Sequence, residues 1–151
     1  MATSWLFSRL SVEARLIRLV RDPIDTPQVT RSLQRPEDGA VVVFEGVVRN
    51  NANEKAVRFL EYDAYESMAA KKLEEIASRA RNEFDIRDIA IVHRLGHMEI
   101  GECSIVIVVA SAHRGPAFEA CRFAIDTIKK IVPIWKKEFY EDGQVWIEGT
   151  S

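Results

Sequence analysis

Two segments of the chain place apolar residues at helical spacing. Met68, Ala69, Leu73, Ile76, Ala77, Ala80 and Phe84 recur at intervals of three, four and seven, which predicts an amphipathic helix over 67–84 that packs on a sheet. Ala117, Phe118, Ala120, Cys121, Ala124, Ile125 and Ile128 form the core face of a second long helix. Pro116 opens it, and Pro133 ends it, because proline lacks a backbone N–H and clashes with the preceding turn. Thr26, an N-cap type followed by Pro27, starts a shorter helix that runs to about Leu33.

The remaining apolar runs have strand character. Residues 104–110 are an almost continuous Ile/Val run of the kind found in a central strand, and 89–93 is a second buried type. Residues 40–48 are rich in β-branched side chains, with Gly46 as a candidate bulge. Residues 57–64 alternate well enough to pair with them across a polar connection at 50–55. Residues 14–20 are weakly strand-like, 96–101 reads as a turn, and Val145-Trp146-Ile147 suggests a last short strand. The order gives a single domain, 1–151, of mixed α+β class: a largely antiparallel sheet packed with two long helices.

Composition narrows the function classes. With 151 residues, 47% hydrophobic and 29% charged, the chain is a folded soluble domain long enough to bury a core. A net charge of -2 argues against a general nucleic-acid binder, so any cationic site must be local. No run approaches the ~20 apolar residues of a membrane span, and the N-terminus makes a poor signal peptide, which implies a cytoplasmic protein. Cys103 and Cys121 fit no metal or redox spacing and read as buried thiols.

Against this acidic background the last third holds a basic constellation: Ser111-Ala112-His113-Arg114, then Lys129, then Pro133-Ile134-Trp135-Lys136. His113 and Arg114 follow a buried strand and precede a helix start, whose free N–H groups attract anions. Each member also has a plain structural reading. His113 can be a hydrogen-bonded structural histidine, Arg114 and Arg49 can be surface ion-pair formers, and lysines at a helix C-terminus complement its dipole. Lys129 and Lys136 would lie two turns apart on nearly one face of an uninterrupted helix, which Pro133 bends. Lys130 and Lys137 read as solvated, His93 as structural, His97 as exposed, and Trp135 as a core or interface aromatic. There is no GxGxxG or GxxxxGK[ST], no HExxH, and no nucleophile elbow around a Ser111, His113 and Asp126 arrangement. Glu61, Asp63 and Glu66 read as a like-charged exposed edge.

Six ordered motifs resemble the catalytic (large) subunit of molybdopterin synthase over roughly residues 38–148. They are Gly39-Ala-Val-Val-Val-Phe-Glu-Gly-Val-Val-Arg-Asn50, Leu60-Glu-Tyr-Asp-Ala-Tyr65 with Met68, His93-Arg-Leu-Gly96, Ser111-Ala-His-Arg114 with Ala117-Phe118, Asp126-Thr-Ile-Lys129, and Pro133-Ile-Trp-Lys136. Residues 1–37 match only loosely. The chain departs from the family at Asn53-Glu54, where a glycine turn is usual, and at Gly149, near a position that is basic in some members.

The resemblance implies an α/β hammerhead fold, a homodimer within a heterotetramer, and sulfur transfer without a metal or organic cofactor. The sulfur would come from the C-terminal Gly-Gly thiocarboxylate of a small ubiquitin-like carrier and go to cyclic pyranopterin monophosphate, forming the dithiolene of molybdopterin. Its functional positions fall on Arg49, His113, Arg114, Lys129 and Lys136. Arginine suits bidentate phosphate contact, so Arg49 and Arg114, assisted by His113, are the expected phosphate binders. Lys129 is the expected general acid/base, and Lys136 the group that holds the carrier's terminus or a developing oxyanion. The alternative is a noncatalytic module that binds a ubiquitin-like tail or an anionic metabolite through the same residues. A hydrolase or phosphotransfer enzyme is a weaker third reading.

Overall fold

In the computed structural model, residues 16–148 are described. The expectations for 1–15, and for the position of Gly149, lie outside them. Twelve elements follow in chain order: β1 (Ile17–Val20), α1 (Thr26–Leu33), β2 (Ala40–Val47), β3 (Asn51–Ala52), β4 (Lys55–Ala64), α2 (Glu66–Glu83), β5 (Asp88–Arg94), β6 (Gly96–Glu99), β7 (Cys103–Ser111), α3 (Arg114–Ile131), β8 (Ile134–Tyr140) and β9 (Gly143–Glu148).

The strands form two sheets. The first has the order β1-β5-β7-β2 and is antiparallel except where β1 runs parallel to β5. The second is antiparallel, with order β3-β4-β8-β9 and β6 also paired to β4. Helices α2 and α3 lie against each other and against the first sheet, α1 rests on β5 and β7, and no described helix is long and apolar enough to cross a membrane. Alanines Ala69, Ala77 and Ala80 on α2, and Ala117, Ala120 and Ala124 on α3, are completely buried. Their small side chains let the helices approach closely. Strands β5 and β7 are buried at nearly every position, which accounts for their unbroken Ile/Val character.

The two long helices and strands β2, β4, β5, β7 and β9 agree with the sequence reading within a residue or two at most boundaries. Residues 96–99, read as part of a turn, form β6, and β8 was not expected because its inward positions are mostly polar. Several positions differ. Phe118 is 61% exposed and Met68 47% exposed, although both sit at core spacing. Cys121 is buried but Cys103 only partly so. Strand 57–64 pairs with β8 and β6, not with 40–48, whose partner is β7. The 50–55 connection folds into its own hairpin, β3 to β4, with Asn53 and Glu54 both at positive φ. These are the dihedrals of a tight two-residue hairpin turn, adopted here without glycine.

His93 is fully buried, its Nδ1 2.8 Å from the Arg94 carbonyl and its ring edge-on to Tyr62 at 5.2 Å. Burial pulls its pKa from 6.5 down to about 4, so the folded chain holds it neutral. The unfolded chain binds this proton at higher pH, so the contribution is intact above 6.5 and lost as pH falls toward 4. Over that window His93 is expected to cost roughly 3 kcal/mol of stability. Acid titration of a His93→Asn variant should show a correspondingly flatter stability profile.

Candidate active site

A half-open cavity of about 600 Å³, counting its mouth, lies where the two sheets meet. The first sheet contributes Phe44, Gly46 and Val47 from β2 and Ser104 and Ile105 from β7; α3 contributes Ile125 and Lys129. From the second sheet come Leu60 and Tyr62 of β4 and Lys136 and Glu138 of β8, with Arg49 at the rim between β2 and β3. Phe44, Val47, Leu60, Ile105 and Ile125 give the lining its apolar surface, and Arg49, Lys129, Lys136 and Glu138 add three cations and one carboxylate.

Local structure explains each placement. The register of β2 on β7 shifts between Gly46 and Val47, forming the expected bulge. A β-carbon at Gly46 would stand 2.7 Å from Ile105 Cγ2, while Ser104 Oγ donates to the Gly46 carbonyl at 3.2 Å. A Gly46→Val substitution is expected to prise β2 from β7, cost about 1–3 kcal/mol and close the cavity. Thermal unfolding and ligand binding measured together would check this. Beyond the bulge, the Val48 carbonyl accepts from Gly101 N and Val48 N donates to the Glu102 carbonyl, while the Asn50 carbonyl accepts from Val57 N. Arg49 is held between these anchors and remains exposed.

Lys129 sits in the last turn of α3, exposed, with its neighbour Lys130 also in solvent. Lys136 is not on a bent continuation of that helix. The chain reverses through Val132 and Pro133 into β8, and Lys136 returns to the cavity from a strand. It is buried, at 7% exposure, with Nζ 3.3 Å from Glu138 Oε1. Tyr140 donates its hydroxyl to Glu138 Oε2, which pushes the phenol's pKa up to about 12. Burial raises the pKa of Tyr62, which stands opposite Lys136 in the β4–β8 register. Both phenols therefore stay protonated, and that of Tyr140 is a hydrogen-bond donor.

The structure thus brings Arg49, Lys129 and Lys136 together and leaves His113 and Arg114 apart. Those two lie exposed at the opposite end of α3, and Arg114 is about 22 Å along the helix axis from Lys129. Ser111 is buried and donates to the Asp85 carbonyl, so it is a brace for this corner and not an available nucleophile. His97 pairs with Glu99 at 2.7 Å on the surface. Among the described residues no cluster of His, Cys, Asp or Glu could hold a metal ion. Glu138, Tyr62 and Ser104 are cavity groups that the sequence reading did not select. The Glu141-Asp142-Gly143 turn before Val145-Trp146-Ile147 was the available signal, because it implies a preceding strand whose alternate residues face inward.

Comparison with known proteins agrees with this architecture. Residues 19–131 match the sequence model of the family described as "MoaE protein". The chain is 43% identical over 129 residues to the molybdopterin synthase catalytic subunit of Bacillus subtilis, covering 85% of this chain and 82% of that one. It is 41% identical over 131 residues to the human molybdopterin synthase catalytic subunit, covering 87% and 70%. The crystal structure of molybdopterin synthase from Staphylococcus aureus superposes with a TM-score of 0.84 at 41% identity, covering 87% of this chain and 96% of that one. A complex of subunits 1 and 2 of molybdopterin-converting factor from Helicobacter pylori shares the fold, with a TM-score of 0.72 at 24% identity, covering 87% and 89%. Family match, relatives and fold together establish that this chain belongs to the MoaE family of molybdopterin synthase catalytic subunits.

Proposed function

We infer that the protein transfers sulfur from the C-terminal thiocarboxylate of a small ubiquitin-like carrier to cyclic pyranopterin monophosphate, in the cytoplasm, to build the dithiolene of molybdopterin. The observation that carries this reading is the meeting of Arg49, Lys129 and Lys136 on one cavity that is also lined by Phe44, Leu60 and Ile105. A pterin ring suits the apolar part of this lining, and its phosphate needs cationic donors such as Arg49. A thin tail fits a half-open cleft, and Lys136 is placed to hold its terminal carboxylate or an oxyanion formed there. Lys129 is accessible and makes no ion pair within the described residues, which suits a group that gives and takes protons. In each transfer the sulfur bonds to a pterin-side carbon in place of an oxygen. Water then cleaves the acyl carbon–sulfur bond, leaving the sulfur on the pterin and the carrier's tail as a carboxylate.

His113 and Arg114 enter this reading through a second copy of the chain. They stand beside the Ala40 end of β2: Ala40 pairs with Ser111, and Gly39 N donates to the Ser111 carbonyl. Among the described residues strand β2 is the edge of its sheet, and it exposes Val43 and Val47. Antiparallel pairing of two β2 edges about a two-fold axis sets the Ala40 end of one copy against the Val47 end of the other. The partner's His113 and Arg114 would then flank the Arg49 rim and add to the phosphate site.

Incubating the protein with thiocarboxylated carrier and the cyclic pterin tests the reading. Molybdopterin formation is expected. Tail binding without a sulfurated product would instead favour a noncatalytic docking module.

A further inference from the structure

Strand β8 turns four successive inward positions to the interior, Ile134, Lys136, Glu138 and Tyr140, all of them buried. Three of the four are polar, which is unusual for the inner face of a strand and needs compensation by pairing. The Glu138 carboxylate divides its oxygens: Oε1 faces Lys136 Nζ at 3.3 Å, and Oε2 accepts from the Tyr140 hydroxyl. Lys136 and Glu138 line the cavity, whereas Tyr140 lies beyond it, under the Lys55 ammonium. Lys55 in turn meets Asp142 at 3.4 Å in the outer turn.

We propose that Tyr140 is a positioning residue that fixes Lys136 through Glu138. A carboxylate with one oxygen bound to a donor on a rigid strand has lost its freedom to rotate, so the ammonium on its other oxygen is held in one place. Buried polar networks act as units in this way, and loss of one member is felt at the far end. Lys136 is then the fixed cation of the cavity, and Lys129, on an exposed helix end, is the mobile one. The relay assigns different work to two lysines of the same charge. Its meaning for catalysis rests on the sulfur-transfer reading, but its existence does not.

The test uses the full chain and an amine-acylating reagent, N-acetoxysuccinimide, with peptide mass mapping of the labelling rates at Lys136 and Lys129. In Tyr140→Phe, the rate at Lys136 is expected to rise about tenfold, the scale of one lost charge-assisted hydrogen bond, while Lys129 stays unchanged as an internal control. Glu138→Gln should raise the Lys136 rate as much or more. Because both act along one path, the double variant should label within about twofold of Glu138→Gln alone. Multiplicative effects in the double variant would overturn the proposal, as would a parallel rise at Lys129 that marks general loosening, or no change at Lys136. None of these readouts involves the carrier or the pterin, so failure here is separable from failure of the proposed reaction.

Discussion

Replacing Lys129 with alanine is expected to lower molybdopterin formation about 10²- to 10⁴-fold, the range for loss of a positioned proton-transfer group. The side chain is exposed on the last turn of α3, so its truncation opens no void in the core and leaves no buried partner unpaired. Thermal stability should therefore stay within about 0.5 kcal/mol of the parent, and the loss belongs to the chemistry alone. Lys130→Ala is the control, because Lys130 is equally exposed and equally near the helix end but does not line the cavity between the sheets. Single-turnover assays with preloaded carrier would separate slow chemistry from weak binding. Full turnover by Lys129→Ala would remove the proposed proton-transfer role.

Arg114→Ala is expected to be similarly inactive for a different reason, and mixing the two defective proteins should restore activity. If each site takes Arg49, Lys129 and Lys136 from one copy and His113 and Arg114 from the other, a mixed dimer carries one intact site and one doubly damaged one. Random re-pairing makes half the dimers mixed, so activity should recover to about a quarter of the parent level. Lys129→Ala mixed with Lys136→Ala cannot recover, because both changes fall on the same side of every site. Recovery in the second mixture, or none in the first, would refute the shared site.

How much of this was readable beforehand depended on what each residue's neighbours in sequence reveal. The Ile/Val run of β7 announced a central strand because burial on both faces leaves no polar positions. Strand β8 stayed hidden for the opposite reason. Its inward positions include Lys136, Glu138 and Tyr140, whose polarity imitates a solvated face, and their mutual pairing is visible only in three dimensions. Pro133 marks the end of α3, but a helix stop does not say where the chain goes next. Phe118 has the spacing of a core residue, yet periodicity cannot distinguish a side chain that faces the interior from one that faces outward near the edge of a helix stripe. Likewise, His113 and Lys129 belong to one basic constellation in the sequence, while helix geometry sets them a full helix length apart.

The edge of β2, which has no outer strand among the described residues, also bears on how the protein behaves at low concentration or during synthesis. Its eight residues carry one charge, Glu45, with no proline or lysine to discourage pairing with strangers. A newly made copy waiting for its mate would expose a template to which other strand edges can add. In the proposed dimer, assembly would protect solubility as well as complete a site, and charged substitutions along this edge would act on both.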